Sequence, residues 1–123
     1  PTPGSTAVCT TLEFVQPPLH GETVLSRGYH TASFHAPSHT LYIFGGMDGS
    51  QSITGLQTVD TDTWAVASVH ATGDAPEGRH GHSAHIIGNS MWVVGGGTGG
   101  QTGHNRRNVG ESVLFVPHPR MSV

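Results

Sequence analysis

Ten histidines, one cysteine and five cationic side chains are the groups through which this 123-residue chain could do chemistry. His80, His82 and His85 lie close together, as do His30, His35 and His39. Alternate residues of a strand share a face, so His80 and His82 would point together and His85 away. A structural zinc site needs cysteine or a third convergent ligand, and neither accompanies these clusters. No metal ligand set is assigned, and apart from His30 and His82 the histidines are read as incidental surface and turn residues whose protonation near neutral pH could tune binding. Cys9 has no partner for an internal disulfide and reads as a small apolar side chain. Gly95-Gly96-Gly97-Thr98-Gly99-Gly100 satisfies the G-x-G-x-x-G spacing of a dinucleotide site. Such a site needs a helix N-terminus at the pyrophosphate and an acidic residue about twenty positions on. Gln101-Thr102-Gly103-His104-Asn105 has no helical pattern and no carboxylate stands at that distance, so no cofactor is expected. No catalytic residue is assigned.

The elements that must position these groups are short. Hydrophobic residues make up 34% and charged residues 11%, too little charge for a disordered chain of this polarity. Eighteen glycines among short apolar runs indicate many tight turns. A net charge of −3, with cations only at Arg27, Arg79, Arg106, Arg107 and Arg120, excludes a nucleic-acid surface. No apolar stretch reaches membrane-spanning length and no signal peptide opens the chain, so an intracellular, cytoplasmic protein without membrane contact is expected. Because the chain starts at Pro1, it reads as a segment of a longer protein.

The chain repeats itself. With Thr63–Ala84 beneath Thr11–Ala32, Gly73 falls under Gly21, Arg79 under Arg27, His82 under His30 and Ala84 under Ala32. Met91-Trp92-Val93-Val94-Gly95-Gly96 then falls under Leu41-Tyr42-Ile43-Phe44-Gly45-Gly46, two residues out of step with the first block. The difference sits in a hairpin tip: Ala36-Pro37-Ser38-His39 in one copy, Gly88-Asn89 in the other. Gly and Asn accept the positive φ of a two-residue hairpin loop. Strands are predicted at 30–35, 41–44, 56–60, 64–69, 82–87, 91–94 and 113–116, with an outer strand of a preceding unit at 12–15. Four short strands per repeat cannot hide both faces alone and require neighbouring sheets stacked on each side.

Arg27, His30 and Ala32, then Gly45-Gly46, then Asp60-Thr61-Asp62-Thr63-Trp64, then Gly73, Pro76, Arg79, Gly81-His82-Ser83-Ala84 and Gly95-Gly96 together resemble the kelch repeat. The period of about fifty residues agrees with that family rather than with WD repeats of about 40–45. The pattern covers most of residues 8 to 116 and is closer to the long, host-cell-factor-like and kelch-domain-containing repeats. The resemblance implies an all-β fold of kelch-type β-propeller blades, each a four-stranded antiparallel sheet, in an incomplete propeller. Residues 8–26 would end one blade, 27–78 form a full blade and 79–123 most of a further one. The remaining blades of the same propeller would complete the ring. The Gly pair would sit where a side chain obstructs neighbouring backbone, Trp64 would wedge between sheets, and Arg79 and His82 would serve carbonyls at the Gly-pair end.

The family implies a protein–protein interaction module, either scaffold or substrate receptor. The alternative is a propeller enzyme acting on a sugar or small molecule, oxidase- or mutarotase-like. The copper ligand set of such oxidases has no counterpart, since only Tyr29 and Tyr42 are available, and the Glu-x-x-x-Asp-x-x-x-His iron pattern is missing. In a blade, loops leaving the second strand and loops entering the first emerge on one face. That face collects 17–28, 47–55, 70–81 and 97–111, and loops on a rigid scaffold commonly carry binding residues. The candidate partner-binding residues are His104, Arg106, Arg107, Met47, Asp48 and His80. Arg106 and Arg107 could grip carboxylates in bidentate fashion, so the expected partner is another protein, through an acidic or extended segment.

Overall fold

The computed structural model describes residues 8, 10–70 and 77–98, together with the backbone of 107–108 and 112–115. Ten strands follow in chain order: β1 (His20–Gly21), β2 (Thr31–His35), β3 (Thr40–Phe44), β4 (Leu56–Asp60), β5 (Ala65–Val69), β6 (Ser83–Ile87), β7 (Ser90–Val94), β8 (Gly97–Thr98), β9 (Arg107–Asn108) and β10 (Ser112–Phe115). One turn of 3-10 helix, Ala36–Ser38, is the only helix among the described residues. The chain is all-β, as its composition and turn density require.

β2 to β5 form one antiparallel meander in the order β5-β4-β3-β2, and β1 adds to its outer edge in parallel with β5. β6, β7 and β10 repeat the arrangement in the order β10-β7-β6, and β8 pairs with β9. Equivalent residues pair equivalently: Ala32 opposes Ile43 in the first sheet and Ala84 opposes Val93 in the second. The tips also differ as their residues demand. Gly88, at φ +62°, turns the second hairpin in two residues, while the first passes through Ala36–Ser38 and closes on His39 at φ +51°.

The pleat sends Tyr42 and Phe44 to one side of β3 and Leu41 and Ile43 to the other. Tyr42, Phe44 and Leu56 bury themselves against Met91 and Val93, with Ala84 and Ile86 packed alongside. This cluster draws on both sheets, so the core lies between them. Ile43, Val59 and Val66 form a second cluster on the opposite side of the first sheet, covered by Val24 and Trp64. β7 is continuously apolar but only half covered: Met91 and Val93 face the first sheet, whereas Trp92 and Val94 face outward beside Ile87 and are exposed. The sheets do not close into a ring.

Two expectations shift. The segment 12–15 is not a strand, and Leu12, Phe14 and Val15 are exposed at 82%, 96% and 73%. An outer strand exists only beside the rest of its sheet, and among the described residues no such neighbour lies along this segment. Instead His20–Gly21 attaches to the first sheet through the bonds His20 N–H to Trp64 O (3.1 Å) and Glu22 N–H to Val66 O (3.0 Å). Trp64 precedes β5 rather than opening it, because it turns the chain at φ +64°. The carboxylate of Asp60 accepts the N–H groups of Asp62 and Thr63 and fixes this turn.

Candidate functional site

Of the loops grouped by the sequence pattern, 47–55 and the described residues 77–81 and 97–98 meet at the Gly-pair end with Arg27 and Gly28, whereas His20 and Gly21 lie beside Ala65 and Val66 at the opposite end of the first sheet. Gly28 bridges Met47, and its counterpart His80 bridges Gly97, so each loop entering a first strand is tied to the loop leaving the second. The ties are short: Gly28 N–H to Met47 O is 2.9 Å and Met47 N–H to Gly28 O is 2.8 Å. Met47 also bridges Ser52, and in the next copy β8 and β9 close the longer loop with a two-residue ladder.

Both repeat arginines satisfy carbonyls at this end. Arg27 Nη1 donates to Gly45 O (2.9 Å), Nη2 to Gln57 Oε1 (2.7 Å) and Nε to Leu25 O (3.0 Å). Arg79, 2% exposed, donates from Nη1 to Gly95 O (3.2 Å) and from Nε to Glu77 O (3.4 Å). Partial burial lowers the Arg27 pKa from its ordinary value. The Gly pair is fixed by close approach. A Cβ on Gly45 would run into Arg79 O and the His82 ring, and one on Gly46 would lie 2.7 Å from Gly28 O. Both glycines take positive φ, +70° and +98°.

A polar seam joins the two sheets. Arg79 O accepts the Gly46 N–H (2.7 Å), and Tyr29 O accepts the Gly81 N–H (2.9 Å). Thr31 Oγ1 lies 2.8 Å from His82 Nε2, and the His82 ring meets Phe44 edge-on, with centroids 5.3 Å apart. Burial, then the charges of Arg79 and His30, push His82 down to about 4. The imidazole is therefore neutral at physiological pH, and its role here is packing.

His35 and His80 differ from the surface and turn reading of the histidines. His35 is 1% exposed and spans the sheets at their far end, between Ser38 Oγ (2.6 Å) and Asn89 Oδ1 (2.7 Å). His80 is buried against Ser52 Oγ, 2.7 Å away. Hydrogen bonding replaces the water each ring loses. No sequence signal marks His35, because its partner Asn89 stands in the hairpin tip of the next repeat. Among the described residues, no group of three or more His, Cys, Asp or Glu converges as a metal site.

Of the candidate partner-binding residues, Met47 is buried at the mouth of a cleft of about 320 Å3 that Ser26, Arg27, Tyr29 and Asp48 also line. Asp48 is exposed, and its Oδ1 accepts Ser50 N–H (3.1 Å), Gln51 N–H (3.2 Å) and the Ser50 hydroxyl (3.1 Å). Those donors hold its carboxyl below its ordinary range, the Ser50 N–H first. His80 does not line this cleft and is buried against Ser52. The Arg107 backbone stands in β9, while His104 and Arg106 lie outside the described residues. Nothing in the sequence marks Tyr29 for binding. It is 71% exposed at φ +58°, and the repeat aligns it with Gly81 at φ +67°.

No described helix is long and apolar enough to cross a membrane. A family model described as the KLHDC2/KLHL20/DRC7 Kelch-repeats domain matches residues 6–111. The chain is 34% identical over 88 residues to host cell factor from Drosophila melanogaster, covering 68% of this chain and 6% of that protein. It is 34% identical over 89 residues to acyl-CoA-binding domain-containing protein 4 from Arabidopsis thaliana, covering 72% of this chain and 12% of the relative. It is 34% identical over 86 residues to the Rab9 effector protein with kelch motifs from Xenopus laevis, covering 68% and 23%. The chain thus spans less than a quarter of the length of these relatives.

Proposed function

The chain belongs to the kelch-repeat family, and from that membership we propose that it is a protein-interaction segment that engages its partner through the loops at the Gly-pair end. The carrying observation is the pair of equivalent bridges, Gly28 to Met47 and His80 to Gly97, which tie loops of different length in the two copies to the same frame. Rigid support of exposed loops lowers the entropy lost on binding. A relative named as a Rab9 effector and another named host cell factor fit a role in assembly. The partner would be another intracellular protein, offering an acidic or extended segment to Arg106 and Arg107 and passing Asp48.

Affinity capture from cell extract with the full chain, followed by partner identification, provides the assay. Arg106→Glu with Arg107→Glu should lower recovery of the identified partner about ten-fold, since a bidentate ion pair becomes a repulsion. His39→Ala with Asp62→Ala, at the opposite end of the strands, should leave recovery unchanged. Undiminished capture by the arginine variant, with its circular dichroism intact, removes the loop-face reading.

A further inference from the structure

We infer that Tyr29 and Asp48 form a subsite for a cationic side chain, an arginine or lysine of the bound partner. The inference starts from a mismatch between the copies. At one position of the repeat the backbone takes positive φ in both sheets: Gly81 at +67° and Tyr29 at +58°. A Cβ on Gly81 would meet nothing within 4 Å, so the site lies open. Glycine suits that conformation without strain, and a bulky aromatic residue does not. The backbone geometry serves the bond from Gly81 N–H to Tyr29 O, for which no side chain is needed. The Tyr29 side chain is 71% exposed, so packing gives no account of it. Strained residues with no structural return are found where a side chain must be presented.

The cleft beside it sets the chemistry. Tyr29 shares its lining with Arg27, Met47 and Asp48. Each nitrogen of the Arg27 guanidinium donates to a protein acceptor, which fixes the group in the frame and leaves one N–H on each of Nη1 and Nη2. Asp48 is exposed and ionised, its turn fixed by Ser50 and Gln51. An acidic group entering here would meet the Asp48 carboxylate, which repels it. A guanidinium would gain that carboxylate together with the face of an exposed phenol ring, which attracts cations. The charge is opposite to that expected to meet Arg106 and Arg107, so the bound segment would carry both signs.

The inference rests on the loop-face reading, and the experiment separates the two. Acetylated, amidated alanine pentapeptides with a central Arg, Leu or Glu are titrated against the full chain, following the amide resonances of Gly28, Tyr29, Asp48 and Gly49. The Arg peptide should shift these resonances and bind about five-fold more tightly than the other two. Tyr29→Gly, which installs the residue of the second copy, should keep or raise the unfolding midpoint while losing about five-fold in affinity for the Arg peptide. Tyr29→Phe should retain the affinity, and Asp48→Asn, which keeps the turn acceptor, should weaken it about three-fold. Equal binding of the three peptides, absence of binding by all three, or undiminished binding by Tyr29→Gly overturns the subsite. If partner capture still depends on Arg106 and Arg107 in that event, the loop-face reading survives without it.

Discussion

The Arg79 carbonyl accepts the N–H of Gly46, and a methyl group on Gly45 would run into the same oxygen. Two backbones from different sheets therefore approach to a distance that no side chain permits. Gly88 has a similar dihedral, φ +62°, but open space around it. Gly45→Ala should accordingly cost about 3 kcal/mol or more, from collision and dihedral strain together, and Gly88→Ala about 1–2 kcal/mol from strain alone. Urea unfolding of the two variants checks the contrast; equal losses would mean that the approach at Gly45 relaxes freely. His82 makes a pH prediction at the same scale. Its folded-state pKa, about 4, lies below the ordinary 6.5. Between those values the unfolded chain takes up a proton that the folded chain refuses. Stability from this group is thus complete above pH 6.5 and falls as pH drops toward about 4. Unfolding curves across that window should show a shallower loss for His82→Gln than for the parent chain. An unchanged slope would mean that the ring is solvated.

At the scale of elements, each sheet is half of an interface. β3 and β7 have near-identical apolar character, yet β3 is covered on both faces and β7 on one. Met91 and Val93 lie against Tyr42, Phe44 and Leu56, whereas Trp92 and Val94 lie on the exposed side. Met91→Ala should destabilise by about 2–5 kcal/mol through lost burial and a residual cavity. Trp92→Ala, at 38% exposure, should cost clearly less despite removing the larger side chain. Thermal unfolding decides between this pattern and a sheet pair held by its polar seam, in which the two losses would be similar. The seam itself, through Thr31, His82, Gly46 and Gly81, fixes the relative placement of the sheets rather than supplying most of their cohesion.

Across the whole molecule, the repeat makes one packing solution available more than once. The offsets that align the copies put Ser33, His35, Tyr42 and Phe44 in the places of His85, Ile87, Trp92 and Val94. The first set faces the second sheet, and the second set faces outward. In a ring of kelch blades, that outward face is where a further sheet of the same kind would pack. Much of this was legible in the residues alone. The strand pattern and the turn at Gly88-Asn89 follow from local chemistry, since periodicity and φ preference act over a few residues, and the Gly pairs and repeat arginines stand out because the repeat places them at matching positions. Partners more than fifty positions apart were not legible. Nothing near His35 in sequence announces Asn89, and the exposure of Trp92 beside the burial of Val93 depends on which side a neighbour stands. The segment 12–15 has strand character but joins no sheet among the described residues. The Tyr29 conformation likewise became visible only through the bond its carbonyl makes to Gly81. Residue pattern alone gave the repeat, its hairpin turns and most of its strands; contacts between distant segments set which strand-like segments join a sheet, which face of each sheet is covered and which side chains stay outside. Burial is a relation between segments distant along the chain, and a single segment does not encode it.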